Sequence, residues 1–147
     1  MADGDRERYL PSIGEVVSED ERPAEPTLEP GIERVDEFVV GGPLLTDVGG
    51  TIGTKVLSTP AMIAMMERCS SLLAIANLPP GRASVGFEVC VKHVAAAAEG
   101  AACRVRSALR EVVEGRKLRF DVEVVEGERT IGVGTHERRV IDVDQLG

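Results

Sequence analysis

The 147-residue chain has no tryptophan, one tyrosine and three phenylalanines. Stacking platforms for single-stranded nucleic acid depend on aromatic side chains, so that class of function finds little support here. The core has to be built from Val, Leu, Ile, Ala and Met. Cysteine is scarce too: Cys69, Cys90 and Cys103 are odd in number and show no C-x-x-C spacing. They read as small apolar groups in a reducing compartment. No run approaches the ~20 apolar residues of a membrane span, and the opening MADGDRERYLPS lacks the apolar stretch of a secretory signal. The expected location is cytoplasmic. No His, Cys or carboxylate pair has metal-ligand spacing, and GGTIG lacks the G-K-[ST] ending of a phosphate loop. Neither a metal nor a bound cofactor is expected.

Negative charge is plentiful but uneven. The formal net charge is −8, and residues 1–37 hold twelve acids against four bases, leaving thirteen of each sign in the remainder. An acidic arm beside a neutral body would repel a phosphate backbone, so nucleic acid is not an expected partner. The arm, residues 1–30, also carries Pro11, Pro23, Pro26 and Pro30 with few large apolar side chains. Such a segment buries too little surface to offset its ordering entropy and is expected to be flexible. Residues 31–147 are expected to form one domain.

Within that domain Ile32, Val35, Phe38, Val39 and Val40 suggest a strand stopped by Gly41-Gly42-Pro43. The glycine-rich stretch Asp47–Lys55 suits no regular element and is a candidate lid. Ser58-Thr59-Pro60 then supplies an N-cap hydroxyl, assigned to Thr59, and an early helical proline. Met62, Met66, Cys69, Leu73 and Ala76 follow at helical spacing, which predicts one helix ending near Asn77 and Pro79-Pro80-Gly81. Beyond Gly81 the period becomes two. Val85, Phe87, Val89 and Val91 share one face of the first run. Cys103, Val105 and Leu109 share a face of the second, with Arg104, Arg106 and Arg110 opposite. Leu118, Phe120, Val122 and Val124 share a face of the third. TIGVGTHERRVIDV is a last strand whose glycines predict a bulge. Strand, loop, helix and four consecutive strands describe an α+β fold, an antiparallel sheet wrapped around one long central helix.

Three side chains stand out against this frame. Glu67 lies one position from the buried stripe; it is either a carboxylate on the solvated helix edge or a partly desolvated base or nucleophile. His93 continues the face of Val89 and Val91, as a satisfied core histidine or as a functional one. Thr59, besides capping, sits where a helix dipole favours developing negative charge. Thr59 and Glu67 are eight residues apart, about two helical turns and roughly 80° around the axis. His136 is ambiguous in face because of Gly132 and Gly134, and is read as structural or surface. Arg138 and Arg139 read by themselves as solvated or salt-bridged.

With these residues placed, STPAMIAMMERCS, LPPGRASVGFEVCVKHVAAA and IGVGTHERRVID resemble the fluoroacetyl-CoA thioesterase family of hotdog proteins. The resemblance spans about positions 31–145 and lies in the order T–x7–E, G–x6–H and T-H-E-R. It implies a hotdog fold, a homodimer with acyl-CoA sites at the interface, and Thr59, Glu67 and His93 as catalytic residues. Gly86 matches a glycine whose N–H lies near the reacting carbonyl, and Arg138 an arginine near the active site. Members selective for fluoroacetyl-CoA carry aromatic residues in a lid before the helix. TDVGGTIGTKVL contains no phenylalanine, and Phe87 adds bulk beside Gly86, so that selectivity is not carried over. The implied reaction is hydrolysis of an acyl-CoA or acyl-carrier thioester, with coenzyme A only as part of the substrate. Glu67 would be nucleophile or general base, assisted by Thr59 and His93. The alternative is a non-catalytic hotdog domain that binds an acyl-CoA or another small apolar ligand. A hydratase is disfavoured, because no Asp-x4-His pattern surrounds His93 or His136.

Overall fold

In the computed structural model, which describes residues 17–146, the helix α1 runs from Thr59 to Ile75. Its start is set by Ser58, whose Oγ accepts from the Ala61 N–H at 3.1 Å, and by Pro60 in the first turn, where a missing N–H removes no helical hydrogen bond. The cap is therefore Ser58 and not Thr59, a correction of one residue. Thr59 is the first helical residue, and its hydroxyl is left to bond elsewhere. Met62, Met66, Cys69 and Leu73 are buried as the spacing predicts, while Ala76 falls at the C-cap and is only half-buried.

The strands are β1 (Glu33–Val39), the two-residue β2 (Leu45–Thr46) and β3 (Val56–Leu57), then β4 (Arg82–His93), β5 (Ala102–Val113), β6 (Lys117–Glu126) and β7 (Arg129–Asp142). The large sheet has the order β1-β5-β6-β7-β4, and every neighbouring pair is antiparallel. One helix against one face of this sheet is the expected α+β hotdog arrangement. Cys103, Val105 and Leu109 on β5, and Leu118, Phe120, Val122 and Val124 on β6, are buried in one core with the stripe of α1. Each such side chain contributes about 1.5–3 kcal/mol by leaving water. On β5 and β6 the opposite face is charged and ion-paired, Arg106 with Glu33 and Glu123, Arg110 with Asp121, and Arg119 with Glu111 and Glu137. Exposed pairs of this kind contribute ~0–1 kcal/mol each, so burial under the helix dominates.

Strand β4 departs from its predicted alternation. Gly86 lies opposite Arg138 and Glu88 opposite Glu137, with Phe87 as the extra residue of a β-bulge. The bulge shifts the phase by one. Ser84 and Gly86 face the helix side before it, and Val89, Val91 and His93 face that side after it. Val85 and Phe87, expected inside, are outside: Phe87 is 60% exposed, with the Arg139 guanidinium 3.6 Å above its ring. The predicted irregularity of β7 is also present. Val124 pairs with Gly132 and Val125 with Thr130, leaving the fully buried Ile131 as the extra residue.

Within the arm expected to be flexible over 1–30, the described residues make contacts with the body. Arg22 donates to the carbonyls of Leu78, Pro79 and Arg82 at 2.9, 2.7 and 2.6 Å, and the Thr27 N–H donates to Asn77 O at 2.9 Å. Leu28 packs against the core. A single guanidinium on three carbonyls is a contact that composition does not announce. Residues 1–16 lie outside the described part.

Candidate active site

The residues singled out in the sequence form two groups. At the first, the start of α1 meets the end of β4. Thr59 Oγ1 and His93 Nδ1 are 2.8 Å apart, a contact that the displaced cap makes available. The other ring nitrogen of His93, Nε2, is buried and has no hydrogen-bond partner among the described residues. A depression lined by Val56, Leu57, Val94, Ala95 and Ala96 adjoins this histidine. The group therefore presents an imidazole oriented by a hydroxyl, with a bare nitrogen beside an apolar wall.

The second group lies around the bulge of β4. A Cβ added at Gly86 would lie 3.3 Å from Glu67 Oε2 and 3.7 Å from both Arg138 Nη1 and His136 Cε1. Three elements thus converge on a backbone position that has no side chain. Glu67 makes no hydrogen bond or ion pair with any described residue. Arg138 is buried and held at several points: Nε donates to Ser84 Oγ at 2.7 Å, Nη2 to Ser84 O at 2.9 Å and Nη1 to His136 Nε2 at 3.2 Å. Burial lowers its pKa from the ordinary guanidinium value, and the nearby Glu67 carboxylate acts in the opposite direction. His136 is 2% exposed, stacks on Phe120 and bonds through Nδ1 to the Glu88 carbonyl at 2.8 Å. Burial lowers its pKa, helped by Arg138 and opposed by the Glu88 carbonyl and by Glu67.

The two groups do not meet within one chain. Eight residues of helix carry Glu67 about 12 Å along the axis from Thr59. His93 is seven residues along the strand from Gly86, roughly 20 Å even allowing for the bulge. The structure therefore joins Thr59 to His93, and Glu67 to Gly86 and Arg138, but does not bring these together. Sequence reasoning missed Ser84, and it left His136 as structural or surface when it is buried against Arg138. The available signal was phase: His136, Arg138 and Val140 are alternate residues beyond Gly134, and all three are buried.

Among the described residues no cluster of His, Cys, Asp or Glu is arranged to hold a metal ion. What the two groups offer is a carboxylate next to a guanidinium and a backbone position without a side chain, and a separate imidazole with a nitrogen that has no partner among the described residues. Those are the parts used in attack on a carbonyl.

Comparison with known proteins gives this arrangement a family. The profile of a family described as fluoroacetyl-CoA-specific thioesterase matches residues 45–144. A fluoroacetyl-CoA thioesterase from Streptantibioticus cattleyicolor is 38% identical over 92 residues, 63% of this chain and 66% of the relative's length. The chain thus spans just under two thirds of that curated relative. A solved structure of the fluoroacetyl-CoA thioesterase superposes with a TM-score of 0.72 at 31% identity, covering 81% of this chain and 92% of the other. A point variant of that enzyme, in complex with fluoroacetate and CoA, superposes with a TM-score of 0.73 over 82% and 100% of the two chains, also at 31% identity. A hot-dog-like protein from Thermanaerovibrio acidaminovorans, 23% identical with a TM-score of 0.73 over 80% and 86% of the chains, shares the fold.

Proposed function

The chain belongs to the fluoroacetyl-CoA-specific thioesterase family, and from that premise we propose that it hydrolyses an acyl-CoA thioester at a site shared by two copies of the chain. The separation of its two polar groups carries this reading. Each group is incomplete alone: His93 Nε2 is buried without a partner among the described residues, and Glu67 is half-buried beside Gly86 with no hydrogen bond or ion pair to any described residue. Strand β4 is a sheet edge whose residues are largely exposed. Two copies of β4 paired antiparallel about a two-fold axis would continue the sheet. Facing residues in such a pair point to the same side, so a two-fold normal to the sheet sets a residue opposite itself. With that axis at Cys90, Val91 faces Val89, Lys92 faces Glu88 of opposite charge, and His93 faces the bulge at Gly86. One copy's Thr59–His93 pair then meets the other copy's Glu67, Gly86 and Arg138.

In this shared site Glu67 is the base or the nucleophile toward the thioester carbonyl. Acting as base, it takes a proton from water as the water oxygen bonds to the carbonyl carbon. The Gly86 N–H and the Arg138 charge stabilise the oxyanion. The carbon–sulfur bond then breaks, and the CoA thiolate leaves as the weaker base, so little acid help is required. His93, oriented by Thr59, holds Glu67 or the attacking oxygen. No cofactor is needed beyond the coenzyme A of the substrate. Three unpaired cysteines, two of them buried, suit a reducing cytoplasm, and among the described residues no helix is long and apolar enough to cross a membrane.

Thiol release from a panel of short and medium acyl-CoAs tests the reading. The wild type is expected to turn over at least one of them, and Glu67→Gln to lose about a hundredfold or more in kcat. Near-wild-type turnover in that variant would refute the assignment of Glu67. Tight acyl-CoA binding with no thiol release from any substrate would mean a binding domain instead.

A further inference from the structure

His136 is one of only two histidines in the chain, and the hydrolytic steps above do not call on it. Its two ring nitrogens are nevertheless assigned by their partners. The Glu88 carbonyl can only accept, so Nδ1, 2.8 Å away, carries the proton; Arg138 Nη1 can only donate, so Nε2, 3.2 Å away, is the bare acceptor. We propose that His136 is a positioning residue, holding the Arg138 guanidinium in the Glu67–Gly86 half-site through a neutral Nδ1–H tautomer fixed by the carbonyl at the β4 bulge.

The geometry gives this residue a task that packing alone would not require. Ser84 holds the Nε and Nη2 atoms of Arg138, and His136 takes the remaining nitrogen. Arg138 to His136 to Glu88 is one line of donors running the same way, from the charge beside Glu67 to the backbone of the bulge. A ring stacked on Phe120 from β6 cannot turn without losing both bonds. The bulge thus sets the tautomer as well as the phase of β4, and the tautomer sets the arginine.

A switch on acidification follows. Protonation of His136 would put a hydrogen on Nε2 against a guanidinium that only donates, and Arg138 would lose its third anchor. The charged groups facing the ring are Arg138 on its own strand, which opposes protonation, and Glu67 on α1, which favours it. Strand β4 contributes the Glu88 carbonyl, and β6 the uncharged Phe120. Burial is the largest part of the opposition, so Arg138 keeps its third anchor through the neutral range and loses it only in acid.

Two measurements decide the matter. In the wild type, nitrogen-15 spectra of the two histidine rings, assigned by a His93→Gln control, should show His136 as the neutral Nδ1–H tautomer at pH 7. An Nε2–H tautomer would overturn the proposal without reference to any activity. The second measurement rests on the thioesterase reading and uses an acyl-CoA that the wild type cleaves. His136→Phe keeps the stacked ring, His136→Asn keeps a donor near the Nδ1 position but is too short to place its amide oxygen near Nε2, and His136→Gln returns an acceptor near the Nε2 position. The first two should lose roughly ten- to a hundredfold in kcat/KM, the scale of a misplaced catalytic environment. His136→Gln should regain most of the loss and lack the acid limb contributed by His136. Wild-type kcat/KM in His136→Phe, or equal losses in the Asn and Gln variants, would overturn the role. If His136→Phe does not fold, the Asn and Gln pair still makes the comparison. Failure of the wild type to cleave any acyl-CoA would strike the thioesterase reading, while the tautomer still decides the placement of His136.

Discussion

At the scale of single residues, titratable groups behave according to what surrounds them and not according to type. Cys69 and Cys103 lie in the core, and burial is the main cause pushing their thiols up to about 12 and about 11, with Asp36 and Glu126 adding to it. Cys90 is exposed on the edge strand. Because thiolate is the reacting species, one thiol per chain should react with a disulfide reagent at pH 8 in the native protein, and three after denaturation. Two fast thiols would contradict this burial. His136 gives a second expectation. Its folded pKa is lowered from the ordinary 6.5, so as pH falls below that value the unfolded chain binds the proton first. Stability must then decrease with falling pH, by at most about 1.4 kcal/mol per unit for one group, until the folded-state pKa is passed. Urea unfolding at pH 7.5 and 5.5 should show a smaller loss in His136→Gln than in the wild type. An identical loss would mean that this ring takes no part.

At the scale of elements, legibility followed regularity. Strand β6 keeps a strict period of two, and its inward residues were readable without exception; β5 does so only as far as Leu109, where a bulge at Arg110 shifts the phase and brings Val112 against the core. The helix was readable from its stripe, although two adjacent hydroxyl residues made Ser58 and Thr59 interchangeable as caps until the backbone separated them. Strand β4 was not readable, because a bulge adds a residue without leaving a compositional mark: Val85, Phe87, Val89 and Val91 look continuous, yet Phe87 interrupts the pairing. As candidates, Thr59, Glu67 and His93 were visible by type and spacing, each with a structural reading beside the functional one, and only the family resemblance made them a set. Their division into two groups was not visible, because it depends on the lengths of α1 and β4 together. On β7 the glycines predicted irregularity, and the structure gives the reason for one of them. A Cβ at Gly134 would run into the Cys90 carbonyl and the Val91 backbone. Neither can swing aside as a side chain end can. Gly134→Ala should therefore destabilise the fold by about 2–4 kcal/mol, or prevent folding. Denaturant melts would detect the change, and an alanine variant within 0.5 kcal/mol of wild type, about the scatter of surface substitutions, would show that the β4–β7 contact is slack.

At the scale of the whole molecule, the proposed site belongs to the pair and not to the chain. Thr59→Ala and Glu67→Gln should each be nearly inactive alone. Mixed by refolding or coexpression, half of the randomly formed dimers join one copy of each, and in these a single site contains an intact Thr59 and an intact Glu67. About a quarter of wild-type turnover should return. No recovery, with mixed dimers demonstrated by mass, would place each site within one chain and leave the distance between Glu67 and His93 unexplained.

The eight-residue step from Thr59 to Glu67 also has a genetic meaning. A chain damaged at one of the two positions is a recessive partner, because with an undamaged copy it still forms one working site. A chain damaged at both is different, since whichever half it lends to a neighbour is broken. Expressed alongside the normal protein it would silence both sites of every mixed pair, so a double lesion in one copy should act as a dominant poison where either lesion alone is tolerated.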